Sequence, residues 1–372
     1  MPGSGAERSS RGFGALRKGI TDQQTLSAIH LENRVRWVNP KILVPPLLLP
    51  FGLQEEKSSQ LALFLDRQKS KVNLGVRLHH GRSADIGRSF FMDIDRKNVY
   101  RDIDIKGAGY ADLAPETAMM HNEDCLAVQQ WQLRKDNKDN IYWGLLGRKE
   151  AETDSKISEE FAEKGIRTQR TIAIIDLLEL PLYENDATRL VPIEELRRQH
   201  LLKDDFNPVV QIRAFGTKTR VADILNYTNS TQSLEKLGDA RLMYQYETSD
   251  RSEGFLNYAN WFADQLGTLV GKMHQSGYTH GYLTPHNLTL DCRLSDLAWV
   301  RKKQDFDGTA WQAACENDFI RAHQSLSRFV KGLEELIPAE FDFEGEQSDL
   351  EKYLAICTDA YRRAMTADQK AS

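Results

Sequence analysis

The chain has 372 residues, of which 40% are hydrophobic and 28% charged, and its 49 Lys and Arg against 54 Asp and Glu give a net charge of −5. This balance is typical of a soluble globular protein with roughly two to three units of about 150 residues each, or with one two-lobed domain. The mild acidity excludes a protein whose main surface follows a nucleic-acid backbone, which requires a basic surplus, while a local basic cleft is still compatible with it.

Cysteine spacing and apolar runs further limit the class of protein to which this chain can belong. The four cysteines lie far apart and form no CxxC pair, which argues against a disulfide framework and a zinc ribbon. The longest apolar run, Ile42 to Leu53, is interrupted by prolines and is too short to span a bilayer. The amino terminus has no apolar signal core, so we expect a cytoplasmic protein without a membrane span.

The first two thirds of the chain predict mainly strands. Residues 1–22 are rich in Gly, Ser and Arg and predict a flexible arm. Residues 88–106 predict a β-hairpin whose second strand ends at Lys106, on the face opposite its isoleucines. Residues 154–164 predict a helix that ends at a glycine. Two further strands are predicted at residues 171–180 and 209–215.

The last third predicts helices. Residues 241–254 change from apolar to polar and predict a hinge, and residues 258–273 follow with one apolar helical stripe. Two short strands are predicted at residues 288–290 and 294–300, and the chain is mainly helical in pattern from about residue 308, with a break at residues 345–347.

Together these elements predict an α+β protein with a β-rich first lobe and a mainly α-helical second lobe. The predicted division is an arm at residues 1–22, an N-lobe with an N-terminal extension at residues 23–247, and a C-lobe at residues 248–372.

The stretch GYTHGYLTPHNLTLDCRLSDLAWV, residues 277–300, is the most informative for chemistry. A helix end is followed by a loop with His280 and Asn287, and Asp296 comes nine residues after Asn287. An amide oxygen and a carboxylate suit a hard cation such as Mg²⁺. The alternative, purely structural roles are that Asn287 caps its loop and that Asp296 caps a turn.

This layout resembles the protein kinase-like fold, with HGYLTPHN in the place of the HRDxxxxN loop and SDLAW in the place of DFG. Within that superfamily it is most similar to the selenoprotein O family, which transfers AMP from ATP to protein hydroxyl groups. Further segments of this chain support the similarity: Gly87-Arg88, IKGAG, GIRTQR and RAFGTKTR.

The resemblance implies a role for each matching residue. Site residues implied for ATP and its phosphates are Lys106, Arg88, Arg213 and Arg220, with Asp154 orienting Lys106. Those implied for Mg²⁺, or alternatively Mn²⁺, are Asn287 and Asp296. The implied activity is an ATP-dependent nucleotidyltransferase that transfers AMP to a hydroxyl acceptor, expected on a protein, with release of pyrophosphate.

Three departures from the family pattern leave two other functions open. His286 stands where the family has Asp, Asp154 where relatives have Glu, and the glycine-rich run is thinned. His286 is either a base with a pKa near neutrality or an inert replacement. The alternatives are therefore a kinase that phosphorylates a protein or small molecule, and an inactive nucleotide-binding pseudokinase that acts through partners. The sequence leaves the acceptor and the oligomeric state open.

Overall fold

The computed structural model describes residues 25–65, 72–75, 82–109, 124–128, 141, 143–184, 187–225, 230–338, 340–341 and 349–367. The chain divides into unit 1, residues 1–152 and 171–214, and unit 2, residues 153–170 and 215–372. The predicted arm at residues 1–22 and the predicted break at residues 345–347 lie outside the described residues.

The strands of the first part of the chain are β1 (Thr25–His30), β2 (Asn33–Val38), β3 (Leu63–Leu65), β4 (Val72–Gly75), β5 (Ser83–Met92), β6 (Val99–Lys106), β7 (Leu146–Gly147), β8 (Arg170–Leu177), β9 (Glu179–Glu184), β10 (Ala187–Pro192) and β11 (Pro208–Phe215). The largest sheet has the order β2-β8-β11-β6-β5, with β7 paired to β11. Smaller sheets have the orders β3-β1-β4 and β10-β9.

The predicted hairpin is confirmed by the antiparallel pair β5 and β6, in which Ser83 lies opposite Lys106 and Met92 opposite Val99. Strand β11 also forms where it was predicted, but both of its faces are buried. Its polar side chains can be buried because they have partners within unit 1. Gln211 Nε2, for example, donates to Thr171 Oγ1 over 2.7 Å, and a buried polar group is stable only when it is hydrogen-bonded in this way.

The helices are α1 (Arg148–Glu163), α2 (Ile193–Arg198), α3 (Ser230–Thr248), α4 (Leu256–Gln275), α5 (Gly308–Leu336) and α6 (Asp349–Thr366), and the short pair β12 (Tyr278–Thr279) and β13 (Arg301–Lys302) lies among them. Helix α1 confirms the predicted helix at residues 154–164 but begins six residues earlier, and the division between the units falls within it. Among the described residues, no helix has the length and apolarity needed to cross a membrane.

Helix α4 is the centre of the unit 2 core, as its apolar stripe predicted. Phe262 is fully buried and stacks on Phe329 of α5 with 4.0 Å between ring centroids. Gly267 permits α6 to approach closely, since a Cβ there would lie 2.0 Å from Cys357 O. The fold is therefore the predicted α+β class, with a strand-rich N-terminal part and a mainly helical C-terminal part.

The predicted hinge at residues 241–254 differs from the structure, because it is helical as far as Thr248. Residues 215–247 fall in unit 2 together with the helices that follow, while the predicted lobe bounds stay predictions. The reason is packing: Leu237 and Tyr244 of α3 are buried in the same core as α4.

Neither of the two short strands predicted at residues 288–290 and 294–300 forms. Leu288 and Leu294 share a single β-bridge, and residues Leu297–Trp299 form a 3₁₀ turn. The sequence suggested a strand because residues 294–300 are mostly apolar. The backbone N–H of Leu297 instead donates to the side chain of Asp154 over 2.8 Å, which replaces a strand partner.

Candidate functional site

In unit 1, Lys106 lies at the end of β6 and pairs with a carboxylate that the sequence did not single out. Its Nζ is 3.2 Å from Glu150 Oε1, and the same oxygen accepts a 2.6 Å hydrogen bond from Arg82 Nη2. Two cations thus lie at one carboxylate oxygen, and such side chains are the donors that bind phosphate groups. The sequence feature that could have indicated Glu150 is its spacing, because it precedes Asp154 by one helical turn and lies on the same face of α1.

Arg213 and Arg88 lie in the interior of unit 1 beside carboxylates. Arg213 has a 1% exposed side chain, and its Nε and Nη2 donate to the two oxygens of Asp104 over 2.9 and 2.6 Å. Arg88 Nε lies 3.5 Å from Asp102 Oδ1, a carboxylate that Arg101 also contacts. These contacts support a structural role, and the phosphate contacts expected of Arg88 and Arg213 stay predictions.

In unit 2, the loop after β12 is fixed by a buried carboxylate from α5. The backbone N–H groups of His280 and Gly281 donate to Asp318 over 2.6 and 3.0 Å. The His280 ring is fully buried, with Nε2 3.0 Å from Ser295 O. Burial lowers the pKa of His280 against the opposing charge of Asp318. His280 is therefore part of the scaffold.

Three oxygen atoms of unit 2 converge on one nitrogen of Arg220. Its Nη1 donates to the carbonyl oxygen of His286, lies 3.4 Å from Asn287 Oδ1 and lies 3.7 Å from Asp296 Oδ2. The amide nitrogen of Asn287 donates to Tyr282 O over 2.9 Å, which fixes the direction of its side-chain oxygen. The structure thus brings together Arg220, Asn287 and Asp296, three of the residues that the sequence selected.

Asp154 positions the segment that carries Asp296. Its Oδ1 accepts from the Leu297 backbone, and its Oδ2 accepts from Gln169 Nε2 over 2.7 Å. Asp296 has φ 56° and ψ 58°, in the left-handed region, where a non-glycine residue costs of order 1–3 kcal/mol. The hydrogen bond to the following residue supports this conformation. The expected pairing of Asp154 with Lys106 joins residues of different units and stays a prediction.

His286 is exposed, and its imidazole is a candidate proton acceptor. Partial desolvation of the ring and the neighbouring Arg220 charge lower the pKa of His286, so the ring is neutral near pH 7. Tyr282 of the same loop and Trp299 are 50% and 66% exposed, with 6.3 Å between their ring centroids. The loop therefore presents a neutral base and an aromatic surface to the solvent.

The two predicted metal ligands do not fit a divalent cation in this arrangement. Mg²⁺ takes oxygen ligands in near-octahedral geometry and retains waters, whereas Asn287 Oδ1 and Asp296 Oδ2 already face the Arg220 guanidinium. A second positive centre between them would meet strong repulsion. Nor does the part of the chain that the structure describes contain a cluster of three or more His, Cys, Asp or Glu suited to a metal.

Three of the four cysteines offer no alternative nucleophile or metal ligand. Burial raises the pKa of Cys125 and Cys357 to about 12 and that of Cys315 to about 11. A thiol needs a low pKa to act as a nucleophile or metal ligand, so these three are inert at neutral pH.

No family model matches the sequence, and no curated protein matches it. Among solved structures, the chain is similar to WaaP in complex with acyl carrier protein, at 12% identity and a TM-score of 0.25, over 78% of this chain and 86% of that chain.

Proposed function

We propose that this protein is a kinase-like ATP-binding enzyme that transfers AMP to a hydroxyl acceptor, expected on a protein. The observation that carries the proposal is the convergence of residues 286, 287 and 296 on Arg220. Two loop segments that are separate in sequence meet there, as the resemblance to the selenoprotein O family implies. The fixing of the loop by Asp318 and of the following segment by Asp154 adds support, because phosphate-transfer sites act mainly by positioning.

In the proposed reaction, the acceptor oxygen attacks the α-phosphorus of ATP, and the bond between that phosphorus and the bridging oxygen to the β-phosphate breaks. Pyrophosphate leaves with the bridging oxygen. The acceptor's proton passes to the neutral imidazole of His286, which is exposed and can receive it. Within unit 2, Arg220 supplies positive charge for the phosphates, as oriented donors do in such transfers. The role of Lys106 of unit 1 toward ATP stays a prediction of the resemblance.

A second candidate is a pseudokinase that binds nucleotide without turnover. The Arg220 guanidinium beside both predicted metal ligands favours it, as does the low basicity of His286. A kinase reaction differs from the first proposal only in the phosphorus that is attacked.

The deciding experiment incubates the full chain with ATP labelled at either the α- or the γ-phosphate, with Mg²⁺ and with EDTA, followed by mass spectrometry. Transfer of the α-label with the mass of AMP supports the proposal, and the Lys106→Met variant should lose it. Transfer of the γ-label indicates a kinase. A shift in melting temperature with ATP but no transfer indicates the pseudokinase, since ligand binding stabilises the native state.

A further inference from the structure

The position of Arg220 is determined by its backbone as well as by its side chain. Its N–H donates to Asp223 Oδ2 over 3.0 Å, and the residue forms a β-bridge with Thr289. The next two residues continue the attachment, with Val221 N donating to Leu288 O over 2.8 Å and Ala222 N to Pro285 O over 2.9 Å. The segment that carries the guanidinium is therefore attached on both sides to the loop that carries Asn287.

The atoms around Arg220 Nη1 are those that a hard metal ion would use. A backbone carbonyl, an amide oxygen and a carboxylate oxygen are oxygen donors of the kind that Mg²⁺ and Mn²⁺ prefer. Arg220 is 5% exposed, whereas the Asp296 side chain is 31% exposed. An approaching ion would reach the carboxylate first and would then have to displace a guanidinium that cannot lose its charge.

We infer that Arg220 is a built-in cation that replaces the divalent metal at this site. The guanidinium cancels the charge of Asp296, so the site needs no added cation before a polyphosphate can approach. Its planar fork also supplies donors that match phosphate oxygens. If the protein binds ATP as proposed, the consequence is that its affinity for ATP is nearly independent of Mg²⁺. This consequence rests on the proposed function.

The test compares Mn²⁺ binding by the full-length wild type and Arg220→Gln, measured from the electron paramagnetic resonance signal of free Mn²⁺. The wild type should bind Mn²⁺ weakly, and Arg220→Gln should bind it about tenfold more tightly or better, because a charge next to the ligands is removed. Adding Asp296→Asn to Arg220→Gln should abolish the gain. Wild-type binding as tight as that of Arg220→Gln overturns the inference.

Arg220→Lys keeps the charge and serves as the matched control. It should bind Mn²⁺ as weakly as the wild type, and a gain equal to that of Arg220→Gln contradicts the inference. Circular dichroism verifies that each variant is folded. The wild type alone provides a second measurement: its ATP affinity should change by less than about threefold between EDTA and Mg²⁺, and strict dependence on Mg²⁺ overturns the inference. If ATP binds under neither condition, the proposed function fails, while the Mn²⁺ comparison still decides the role of Arg220.

Discussion

The buried ion pair between Asp104 and Arg213 offers the sharpest test of what the arginines of unit 1 do. Asp104 is fully buried and accepts two hydrogen bonds from Arg213, whose Nη2 also lies 3.1 Å from Ser83 Oγ. Asp104→Ala leaves the guanidinium buried without its carboxylate, so we expect a loss of about 3–5 kcal/mol in the free energy of unfolding. At about 2–4 °C per kcal/mol, the melting temperature of unit 1 should fall by about 6–20 °C.

A double-mutant cycle of Asp104→Leu, Arg213→Met and the double variant isolates the energy of the pair. The double variant replaces both charges by apolar groups, so its free energy of unfolding should lie within about 2 kcal/mol of the wild type. The coupling energy between the two substitutions should be at least about 2 kcal/mol. Urea unfolding monitored by circular dichroism and tryptophan fluorescence provides the free energies. Glu194→Ala removes a 79% exposed partner of Arg197 and is the matched control, with an expected loss below about 1 kcal/mol.

The same variants separate structure from function. If Asp104→Ala costs less than about 1 kcal/mol, the buried pair does not stabilise unit 1, and the structural role assigned to Arg213 is refuted. If the double variant folds normally and still binds ATP as the wild type does, Arg213 is structural. Loss of ATP binding by a stable double variant would instead support the phosphate contact that the sequence resemblance implies.

Three further predictions follow from individual contacts. Lys106→Met should weaken ATP binding by about tenfold or more, the value of a charge-assisted hydrogen bond, whereas Lys97→Met, at a 75% exposed lysine, should leave thermal-shift titrations with ATP unchanged. Gly267→Ala should destabilise the protein by about 1–3 kcal/mol through overpacking against α6, while Gly238→Ala, with open space around it in α3, should stabilise it by about 0.5–1 kcal/mol in urea unfolding. Burial lowers the pKa of His280 below its ordinary 6.5, so the unfolded state takes up the proton first as the pH falls. The free energy of unfolding should therefore decrease as the pH falls through about 6.5 towards the folded-state pKa. The urea midpoint should depend less on pH in His280→Asn.

Each of these three predictions would be contradicted by a specific measurement. Unchanged ATP titrations in Lys106→Met would remove that lysine from the proposed site. Equal stabilities for Gly267→Ala and Gly238→Ala would mean that α4 and α6 can separate at no cost. A urea midpoint that depends on pH equally in the wild type and in His280→Asn would place the titrating group elsewhere, with His286 and His323 as the next candidates, since the pKa of each is also lowered.

Much of the secondary structure was predictable because local patterns determine it. The β5–β6 hairpin follows from alternating residues around a turn, and α4 follows from an apolar stripe with a helical period. One failure came where a polar side chain determined the backbone conformation. The residues after Asp296 are apolar enough for a strand, yet the hydrogen bond from Leu297 to Asp154 sets them in a turn.

For the candidate site, the sequence by itself determined which residue types are present and that Arg220, Asn287 and Asp296 belong together by their resemblance to a kinase-like motif set. Only the tertiary structure decided what these residues do to one another. Spacing along a chain does not by itself determine which cation faces which carboxylate, because ion pairs form between segments that folding brings together. In the structure, Lys106 pairs with Glu150 and Arg213 with Asp104, and Arg220 contacts both Asn287 and Asp296.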